Sequence, residues 1–585
     1  MTLNNAYSDY ARRLLSGFYL LENEKTPEEA FTRVATAFCG NNLLLANRIN
    51  EALQRGWFMV SSPILSNAPE VKVNADGKVE VIKKGRGLPI SCFLTYVPDT
   101  VEGLISHSEE LRWMSITGGG VGGHWNDVRG VSDKSPGPIP FLKTVDADMK
   151  AYRQGKTRKG SYAAYMDDTH PDIVEFVNYR RPTGGDPDRK CLNLHHGVNV
   201  TRKFLEAIVN GEQWELICPA TGEVRDTMPA RQLWELLLDT RATTGEPYLN
   251  FIDDANDALP QVLKDKGRRI HGSNLCNEIH LPTSASRSAV CCLSSLNLEK
   301  FDEWKDTSLV RDLVEFLDNV IEYFLENAPD EMSRAVAGAF AERPLGIGAM
   351  GFHSYLQKNS IPYETGIAVA VGEHIFSHIK SEAVAGSKAL AAIRGEAPDM
   401  IGTGLRNSHL LAVAPNANSS ILLGTSPSIE VWQSNAIVQR TRAGTALVRN
   451  KYLNLIIHER YPDEVEQVWT EIEAARGSIA DNERFTPHEK EVFKRAFDID
   501  QHWVVEHAAT RQPHICQGQS VNLFFPAGSE RSYVNSVHLK AALSPLKGLY
   551  YYRTEAESKA DNLHEKVERK ALKDAEPSDC LSCEG

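Results

Sequence analysis

Apolar residues recur along this chain with two periods, one typical of amphipathic helices and one typical of buried strands. The strongest helical prediction covers 307–327, where the apolar positions share one face: Val310, Leu313, Val314, Leu317, Val320, Ile321, Phe324 and Leu325. Another helix is predicted after Thr26, because Thr26-Pro27-Glu28-Glu29 combines an N-cap, a proline at the first helical position and a capping-box glutamate. Gly40 follows as a stop, and a further helix is predicted to lead to Trp57.

Short apolar runs between the helical stretches predict strands. Ala289–Leu293 is apolar throughout, and Arg343–Gly351 is apolar and glycine-rich after its first residue, which is typical of strands buried on both faces. The segment 61–68 predicts a turn, and 88–94 predicts a strand. The long alternation of strands and helices indicates an α/β architecture. Periodicity alone leaves open whether the sheet is flat or closed into a barrel.

Composition narrows the class of protein. The 585 residues are 42% hydrophobic and 24% charged, as in soluble globular proteins. The net charge of −13 and the lack of a basic tract give no support for nucleic-acid binding. No apolar run approaches the roughly 18 residues that a membrane span needs, and the first residues contain no apolar signal region. We therefore expect a cytoplasmic protein that does not bind a membrane.

The chain contains ten cysteines, which should be thiols in a reducing cytosol. Unusual cysteine pairs are then more indicative of catalysis or metal binding than of structural disulfides. Cys580 and Cys583 form the one CxxC motif. A single CxxC is at most half of a zinc site, so no metal site is predicted.

Candidate chemistry centres on Asn274-Leu275-Cys276-Asn277-Glu278. If this segment is extended, side chains alternate, and Asn274, Cys276 and Glu278 point the same way. An amide, a thiol and a carboxylate would then reach one small substrate. The alternative is structural, because buried cysteines are common as small hydrophobic residues and Asn or Glu near strand ends is ordinary. Spacing alone leaves both interpretations open.

The sequence SNLCNEI, followed by AVCCLSSLNL, resembles the active-site finger loop and next strand of ribonucleotide reductase catalytic subunits, where the pattern is S-N-L-C-x-E-I and then A-V-C-x-L. The resemblance implies a ten-stranded α/β barrel with the loop of Cys276 threaded through its centre. It divides the chain into a helical N-terminal region (1–60), the barrel (61–553) and a flexible redox tail (554–585). With 91 residues before Cys92, we expect no separate ATP-binding regulatory domain.

The resemblance also implies roles for the finger loop. Cys276, oxidised to a thiyl radical, removes the 3′-hydrogen of the ribose. Glu278 acts as the base at the 3′-hydroxyl, and Asn274 holds the substrate hydroxyls. The implied substrate is a ribonucleoside diphosphate.

A second group of cysteines supplies electrons in this family. By resemblance, Cys92 and Cys291 form a disulfide as the 2′-hydroxyl leaves as water. Cys580 and Cys583 then restore the two thiols by exchange and pass the oxidation to thioredoxin or glutaredoxin. Cys292 is expected to be a structural neighbour.

Substrate contacts are implied at three segments. Ser62 and Ser91 fall in stretches that resemble S-P-T-x-x-N-A and L-S-S-C-F-L, where small hydroxyl residues contact substrate. A segment like P-x-A-S-T-S holds the substrate phosphate in the family, and its matching positions here are Asn416, Ala417, Asn418, Ser419 and Ser420. The alternative for this segment is an ordinary helix N-cap, although such an end also favours anions.

An allosteric site for dNTP or ATP effectors is implied by a segment that resembles S-x-x-G-G-G-I-G near Gly118–Gly123. The matching effector positions are Asp99, Thr100, Val101, Arg129, Pro136 and Gly137. A basic loop over 153–160 resembles the loop that carries specificity information, with a solvated turn as the alternative. One departure is Ile116, where many relatives have lysine beside the effector. The glycines alone indicate close packing rather than a phosphate loop.

The third motif is Leu549-Tyr550-Tyr551-Tyr552-Arg553-Thr554, which resembles the M/L-Y-Y-x-R-T segment of class I members. There the paired tyrosines relay a radical to the active-site cysteine, which maps the path to Tyr551, Tyr550 and Cys276. The implied partner is a ferritin-like small subunit that carries a metal-dependent radical cofactor, with no cofactor bound in this chain. Ordinary core packing is the alternative for an aromatic run. The family further suggests a homodimer packed through helices near 101–118.

Three other interpretations stay open. An adenosylcobalamin-dependent reductase shares the barrel and cysteines but needs no tyrosine pair. A glycyl-radical enzyme also uses a barrel-loop cysteine but requires a characteristic glycine loop, which is not visible after residue 520. A non-catalytic nucleotide-binding protein would bind the same ligands without turnover.

Overall fold

The computed structural model describes residues 7–152, 160–441 and 444–555. The basic loop over 153–159 and the tail cysteines Cys580 and Cys583 therefore lie outside the described residues. The strands are β1 Phe58–Val60, β2 Glu70–Val73, β3 Val79–Lys83, β4 Cys92–Tyr96, β5 Gly120–His124, β6 Val131–Ser132, β7 Ser135–Pro136, β8 Tyr162–Asp167, β9 His195–Val200, β10 Gln213–Ile217, β11 Val224–Pro229, β12 Tyr248–Phe251, β13 Ala289–Asn297, β14 Leu345–Met350, β15 Ala436–Thr441, β16 Gly444–Arg449, β17 Leu523–Phe525, β18 Gly548–Leu549 and β19 Tyr552–Thr554.

The helices surround these strands. They are α1 Asp9–Phe18, α2 Pro27–Ala37, α3 Leu43–Gln54, α4 Ser62–Asn67, α5 Val101–Thr117, α6 Ile139–Ala151, α7 Ile173–Asn178, α8 Arg202–Asn210, α9 Ala230–Thr244, α10 Ile252–Asp257, α11 Gln261–Asp265, α12 Phe301–Trp304, α13 Leu309–Asn327, α14 Ser333–Glu342, α15 Phe352–Lys358, α16 Gly366–Arg394, α17 Ala417–Leu423, α18 Lys451–Arg460, α19 Val465–Ala474, α20 Pro487–Val492, α21 Gln501–Arg511 and α22 Arg531–Ala542. No helix within the described ranges is long and apolar enough to cross a membrane.

Local sequence signals fix the N-terminal helices. The predicted capping box is present at the start of α2, where the Thr26 side chain accepts from Glu29 N–H and the Glu29 side chain accepts from Thr26 N–H. The apolar face of α2, including Phe31 and Val34, is buried. The helix predicted at 307–327 is confirmed as α13, whose apolar stripe packs into the main core.

Strand β13 pairs with three other strands and is buried along its whole length. Its one edge pairs in parallel with β14, and its other edge pairs antiparallel with β1 and β4. From β4 the sheet continues through β5, β8, β9 and β12 in parallel, and β18 then pairs antiparallel with β12. The predicted mixed α/β class is confirmed.

Single bridges and loop hydrogen bonds close this sheet into a ring. Beyond β18, Tyr550 N–H donates to Val521 O at 2.8 Å. In the segment that contains Val521, Gln519 forms a single bridge with Val413. Leu411 in turn forms a single bridge with Ile347 of β14. Counting 519–523 and 411–413 with β4, β5, β8, β9, β12, β13, β14 and β18 gives ten strands around the ring, as the family resemblance implies.

The turn predicted at 61–68 is wrong, because residues 62–67 form the short helix α4. Pro63 lies in its first turn, where a fixed φ and a missing N–H favour a helix start. Ile64 and Leu65 then bury their side chains in the core. Tertiary burial therefore converts a turn-like sequence into one and a half turns of helix.

Candidate active site

The finger loop at Asn274–Glu278 crosses the interior of the barrel as a turn, not as the extended segment that the alternation argument assumed. Asn277 adopts a left-handed backbone with φ of 61°, which asparagine tolerates better than most residues. Its N–H donates to Asn274 O at 3.3 Å. The Asn274 side-chain oxygen accepts from the N–H groups of Glu278 and Ile279 at 3.0 and 3.1 Å, so Asn274 holds the turn closed.

Neighbouring strands anchor this loop through residues that sequence reasoning did not single out. Tyr165 of β8 donates its hydroxyl to Asn274 O at 2.6 Å, and Ser520 donates to Cys276 O at 2.6 Å. The Asn277 amide donates to Leu249 O and Leu549 O at 3.1 and 3.2 Å. The loop of Cys276 is thus tied directly to β18, which immediately precedes the tyrosine pair.

The glycine cluster at 118–123 gives the loop its space. A Cβ atom on Gly122 would lie 2.0 Å from Ser273 O, and one on Gly120 would lie 2.8 Å from a Leu275 methyl. Both glycines belong to β5, directly beside the finger loop. These contacts support the interpretation that the glycines allow close packing. The neighbour that they admit is the finger loop.

Cys92 and Cys291 face each other as directly opposed residues of β4 and β13, and both are free thiols. Opposed residues in an antiparallel pair have Cα atoms about 4.5–5.5 Å apart, a separation that a disulfide can span. Asn274 donates its amide to Cys92 Sγ at 3.3 Å, and Gln517 donates to Cys291 Sγ at 3.6 Å. Gln517 was not anticipated from the sequence.

Electrostatics place the thiols and the carboxylate in one region. Burial raises the pKa of both Cys92 and Cys291 above the usual thiol value, and Glu278 raises the pKa of Cys92 further, as do Cys291 and Cys276. Burial raises the pKa of Glu278 to about 7, although hydrogen bonds from Asn274 and Ser520 oppose the shift. A carboxyl group with this pKa exchanges its proton readily near neutral pH.

Cys276 packs in one buried aromatic cluster with the tyrosines, whose members are Ala163, Tyr165, Tyr248, Leu275, Cys276, Tyr550 and Tyr551. The rings of Tyr550 and Tyr551 have centroids 4.3 Å apart. Tyr248 of β12 lies 4.7 Å from the Tyr550 ring and 5.2 Å from the Tyr551 ring. Sequence reasoning missed Tyr248, because a lone tyrosine at the start of an apolar strand carries no distinguishing signal.

Two of the predicted substrate-contact residues lie at the beginnings of elements, Ser91 just before β4 and Ser62 at the first residue of α4. Ser91 directly precedes Cys92 and is 2% exposed, and its hydroxyl has no partner among the residues that the structure describes. Ser62 shares a hydrogen bond with the Tyr19 hydroxyl at 3.1 Å. A buried, unpaired hydroxyl beside a reactive thiol is a candidate ligand contact.

The predicted phosphate segment follows a barrel strand. Ala412 and Ala414 belong to one buried cluster with Cys92 and Cys291. The segment 416–420 begins two residues after Ala414 and therefore follows the thiol pair's cluster directly. The first turn of α17 contains Ala417, Asn418, Ser419 and Ser420. Asn416 does not cap this helix, because its side-chain oxygen accepts from Ser295 of β13 at 2.9 Å.

The predicted effector positions lie together near the surface. Arg129 forms an ion pair with Asp99 at 2.7 Å, and Thr100 caps α5 by accepting from Gly103 N–H at 2.9 Å. Val101 is 69% exposed at the start of α5. The hairpin of β6 and β7 places Pro136 opposite Val131, and Gly137 follows it with φ of 73°.

Comparison with protein families gives two matches. A model described as ribonucleotide reductase, barrel domain, matches residues 90–403 and 399–552. A model described as ribonucleotide reductase, all-alpha domain, matches residues 5–72. Together these matches cover most of the chain.

Individual relatives agree with the family models. A protein of Frog virus 3 (isolate Goorha), named as a ribonucleoside-diphosphate reductase large subunit, is 51% identical over 556 residues, covering 94% of each chain. The ribonucleoside-diphosphate reductase large subunit of Invertebrate iridescent virus 3 is 40% identical, covering 100% of this chain and 99% of that one. The solved alpha subunit of the Actinobacillus ureae class Id ribonucleotide reductase superposes with a TM-score of 0.82 and 34% identity, covering 94% of this chain and 98% of that one. This chain therefore belongs to the ribonucleotide reductase large-subunit family and is class I-like.

Proposed function

We propose that this chain reduces ribonucleoside diphosphates to 2′-deoxyribonucleotides through a thiyl radical at Cys276. The observation that carries the proposal is that the finger loop reaches two groups. Cys276 belongs to one buried cluster with Tyr550 and Tyr551, and Asn274 of the same loop donates to Cys92 of the thiol pair. A radical path and a two-electron donor therefore meet at one loop.

The chemistry assigns one task to each group. The Cys276 thiyl takes the 3′-hydrogen atom, while Glu278 takes the proton of the 3′-hydroxyl. The 2′-hydroxyl leaves as water. Cys92 and Cys291 supply two electrons and two protons and become a disulfide, and Cys276 returns its hydrogen to C3′. The net change is one ribose hydroxyl and two thiols converted to one deoxyribose, one disulfide and water.

We propose that the substrate binds beside Cys276, Glu278 and the thiol pair. Ser91 offers its buried hydroxyl to the sugar, with Ser62 and Asn274 as further contacts. The phosphates lie against the segment 416–420, where the first N–H groups of α17 point outward and favour an anion. A diphosphate substrate is also what the names of the viral relatives state for those proteins.

Regeneration and regulation require partners. We propose that Cys580 and Cys583 reduce the Cys92–Cys291 disulfide and are themselves reduced by thioredoxin or glutaredoxin. A ferritin-like small subunit with a metal-dependent radical cofactor supplies the oxidant, and dNTP or ATP binds near Asp99–Val101, Arg129 and Pro136–Gly137. We place the enzyme in the cytoplasm.

A homodimer is proposed through α5. Val101, Ile105 and Ile116 are 69%, 64% and 42% exposed on this helix. Exposed apolar side chains grouped on one element are typical of an interaction surface. The same helix begins beside the proposed effector positions, so an effector bound there would contact the interface.

The test is a reduction assay with each of the four ribonucleoside diphosphates, with and without a radical-loaded small subunit. We expect product only with the small subunit, and none from Cys276→Ser. Cys39→Ser is the matched control, because Cys39 is a buried thiol outside the barrel whose sulfur already interacts with backbone N–H groups. Equal turnover by Cys276→Ser would refute the thiyl proposal. Nucleotide binding without turnover by the parent chain would favour a binding protein.

A further inference from the structure

A buried histidine–carboxylate pair lies beside the outer tyrosine of the proposed radical path. His195 is the first residue of β9, and Glu246 lies in the connection between α9 and β12. The Nδ1 atom of His195 lies 2.6 Å from Glu246 Oε1 and 3.3 Å from the Tyr551 hydroxyl oxygen. His195 is 8% exposed and Glu246 is 1% exposed. One ring nitrogen thus faces the carboxylate and the phenol, and the Arg180 guanidinium lies 3.3 Å from the same nitrogen.

The charges around this pair keep Glu246 ionised. Burial alone would raise the pKa of Glu246, but Arg180 and His195 outweigh it and hold the pKa well below its ordinary value. The Arg180 guanidinium lies 3.5 Å from Glu246 Oε1. His196 donates its backbone N–H to Glu246 Oε2 at 3.1 Å. On the other side of the phenol, the Arg553 guanidinium lies 4.2 Å from the Tyr551 ring centroid.

We propose that His195 accepts the phenol proton of Tyr551 when this tyrosine is oxidised and returns it when the tyrosine is reduced, with the ionised Glu246 carboxylate stabilising the protonated imidazole. The inference rests on the proposed function, in which Tyr551 and Tyr550 carry a radical to Cys276. It adds two residues to the machinery. His195 contacts the reacting phenol, and Glu246 acts through His195.

The step balances as follows. Tyr551 gives one electron to the one-electron oxidant carried by the small subunit. Its phenol proton passes to the unprotonated Nδ1 of His195, in the tautomer that carries its hydrogen on Nε2, which leaves a neutral tyrosyl radical and an imidazolium beside the ionised Glu246 carboxylate. Tyr551 then takes a hydrogen atom from Tyr550, and Tyr550 takes one from the Cys276 thiol. The proton remains on His195, paired with the Glu246 carboxylate, until the radical returns.

The geometry distinguishes this pair from ordinary packing. On the proposed path Tyr550 is the inner tyrosine, between Tyr551 and Cys276, so hydrogen atoms can move along that stretch without an external base. Tyr551 is the outer of the two tyrosines. Its electron passes to the small subunit, whereas its phenol proton needs an acceptor within this chain. A base beside Tyr551 is therefore needed there and nowhere further inward, and this is where His195 lies.

The first test uses the isolated chain and does not depend on activity. 3-Nitrotyrosine is placed at position 551, and its phenol is titrated by visible absorbance. Glu246→Gln removes a nearby negative charge, so the phenol pKa should fall by about one unit or more. His196→Asn is the matched control, because His196 contacts the same carboxylate, is buried, and has Val177 O as its other partner. An unchanged phenol pKa in Glu246→Gln would overturn the proposed link from Glu246 through His195 to the Tyr551 phenol.

The second test uses the complex with a radical-loaded small subunit. 3-Aminotyrosine at 551 traps the radical, and an exchangeable hydrogen coupled to it is measured by electron–nuclear double resonance in H2O and D2O. We expect His195→Phe to lose that coupling and to lower turnover roughly 100-fold, while His195→Gln restores the hydrogen bond but not turnover. Unchanged coupling or unchanged turnover in His195→Phe would overturn the inference alone. Absence of deoxynucleotide from the parent chain would overturn it together with the proposed function.

Discussion

Replacing Glu278 with glutamine should make this protein more stable at alkaline pH while abolishing its proposed catalysis. The Glu278 carboxyl is 1% exposed inside the barrel. Burial raises its pKa from 4.5 to about 7, since a carboxylate loses its hydration there. The native state therefore binds the Glu278 proton more tightly than the unfolded chain does, and ionising this group costs folding free energy.

The magnitude follows from the shift. A difference of about 2.5 units between 4.5 and 7 corresponds to roughly 3 kcal/mol at 1.36 kcal/mol per unit. The cost is fully present above pH 7, decreases as pH falls, and is absent below pH 4.5, where both states are protonated. Glutamine avoids it but weakens the contact with Ser520, which costs about 1 kcal/mol. We expect Glu278→Gln to exceed the parent by ~2 kcal/mol at pH 8.

Urea unfolding at pH 5, 6, 7 and 8 measures this difference as a shift in midpoint between variant and parent. The midpoint is compared directly, because a chain of this size need not unfold in two states. Glu206→Gln on the exposed face of α8 is the control and should show no such trend. A variant that is no more stable at pH 8 than at pH 5, relative to the parent, would refute the burial argument.

Three further predictions test the framework and the site. Asp318→Asn should destabilise the fold by roughly 3–5 kcal/mol, because Asp318 is fully buried and bonds to Arg343 at 2.7 Å. A decrease of less than about 2 °C in the thermal unfolding midpoint would contradict this. Asn277→Gly should keep the left-handed turn but lose the bonds to β12 and β18, so turnover should fall at least ~10-fold with nucleotide affinity unchanged; loss of affinity instead would contradict it. A single turnover without reductant should link Cys92 to Cys291, detected as a cross-linked peptide by mass spectrometry, and two free thiols afterwards would contradict that role.

The elements that sequence alone predicted well are those fixed by local chemistry. The capping box of α2 and the apolar stripe of α13 depend on residues three or four positions apart, and both are present in the structure. The catalytic motif was likewise readable as a group of residue types. Its shape was not, because the left-handed turn at Asn277 is held by acceptors on Leu249 and Leu549, which lie far away in the chain.

The same reason explains the missed residues of the site. Tyr248 belongs to β12, and Gln517 and Ser520 lie beside the single bridge at Gln519. Periodicity does not reveal the partners of these segments, so nothing in their own sequence places the three residues beside the finger loop. His195 meets Glu246 and Tyr551 only once β9, the connection between α9 and β12, and the segment between β18 and β19 are assembled. Glu278 could be named as a base from the motif, but its raised pKa follows from the burial that the closed barrel imposes.

The most direct test of the account is competitive reduction of a ribonucleoside diphosphate and its 3′-deuterated form in the complex with a radical-loaded small subunit. If Cys276 begins the reaction by removing the 3′-hydrogen, the deoxynucleotide should be enriched in the protiated form. Cys276→Ser should give no product. Equal use of the two substrates, or product from Cys276→Ser at the parent rate, would contradict a thiyl radical at residue 276.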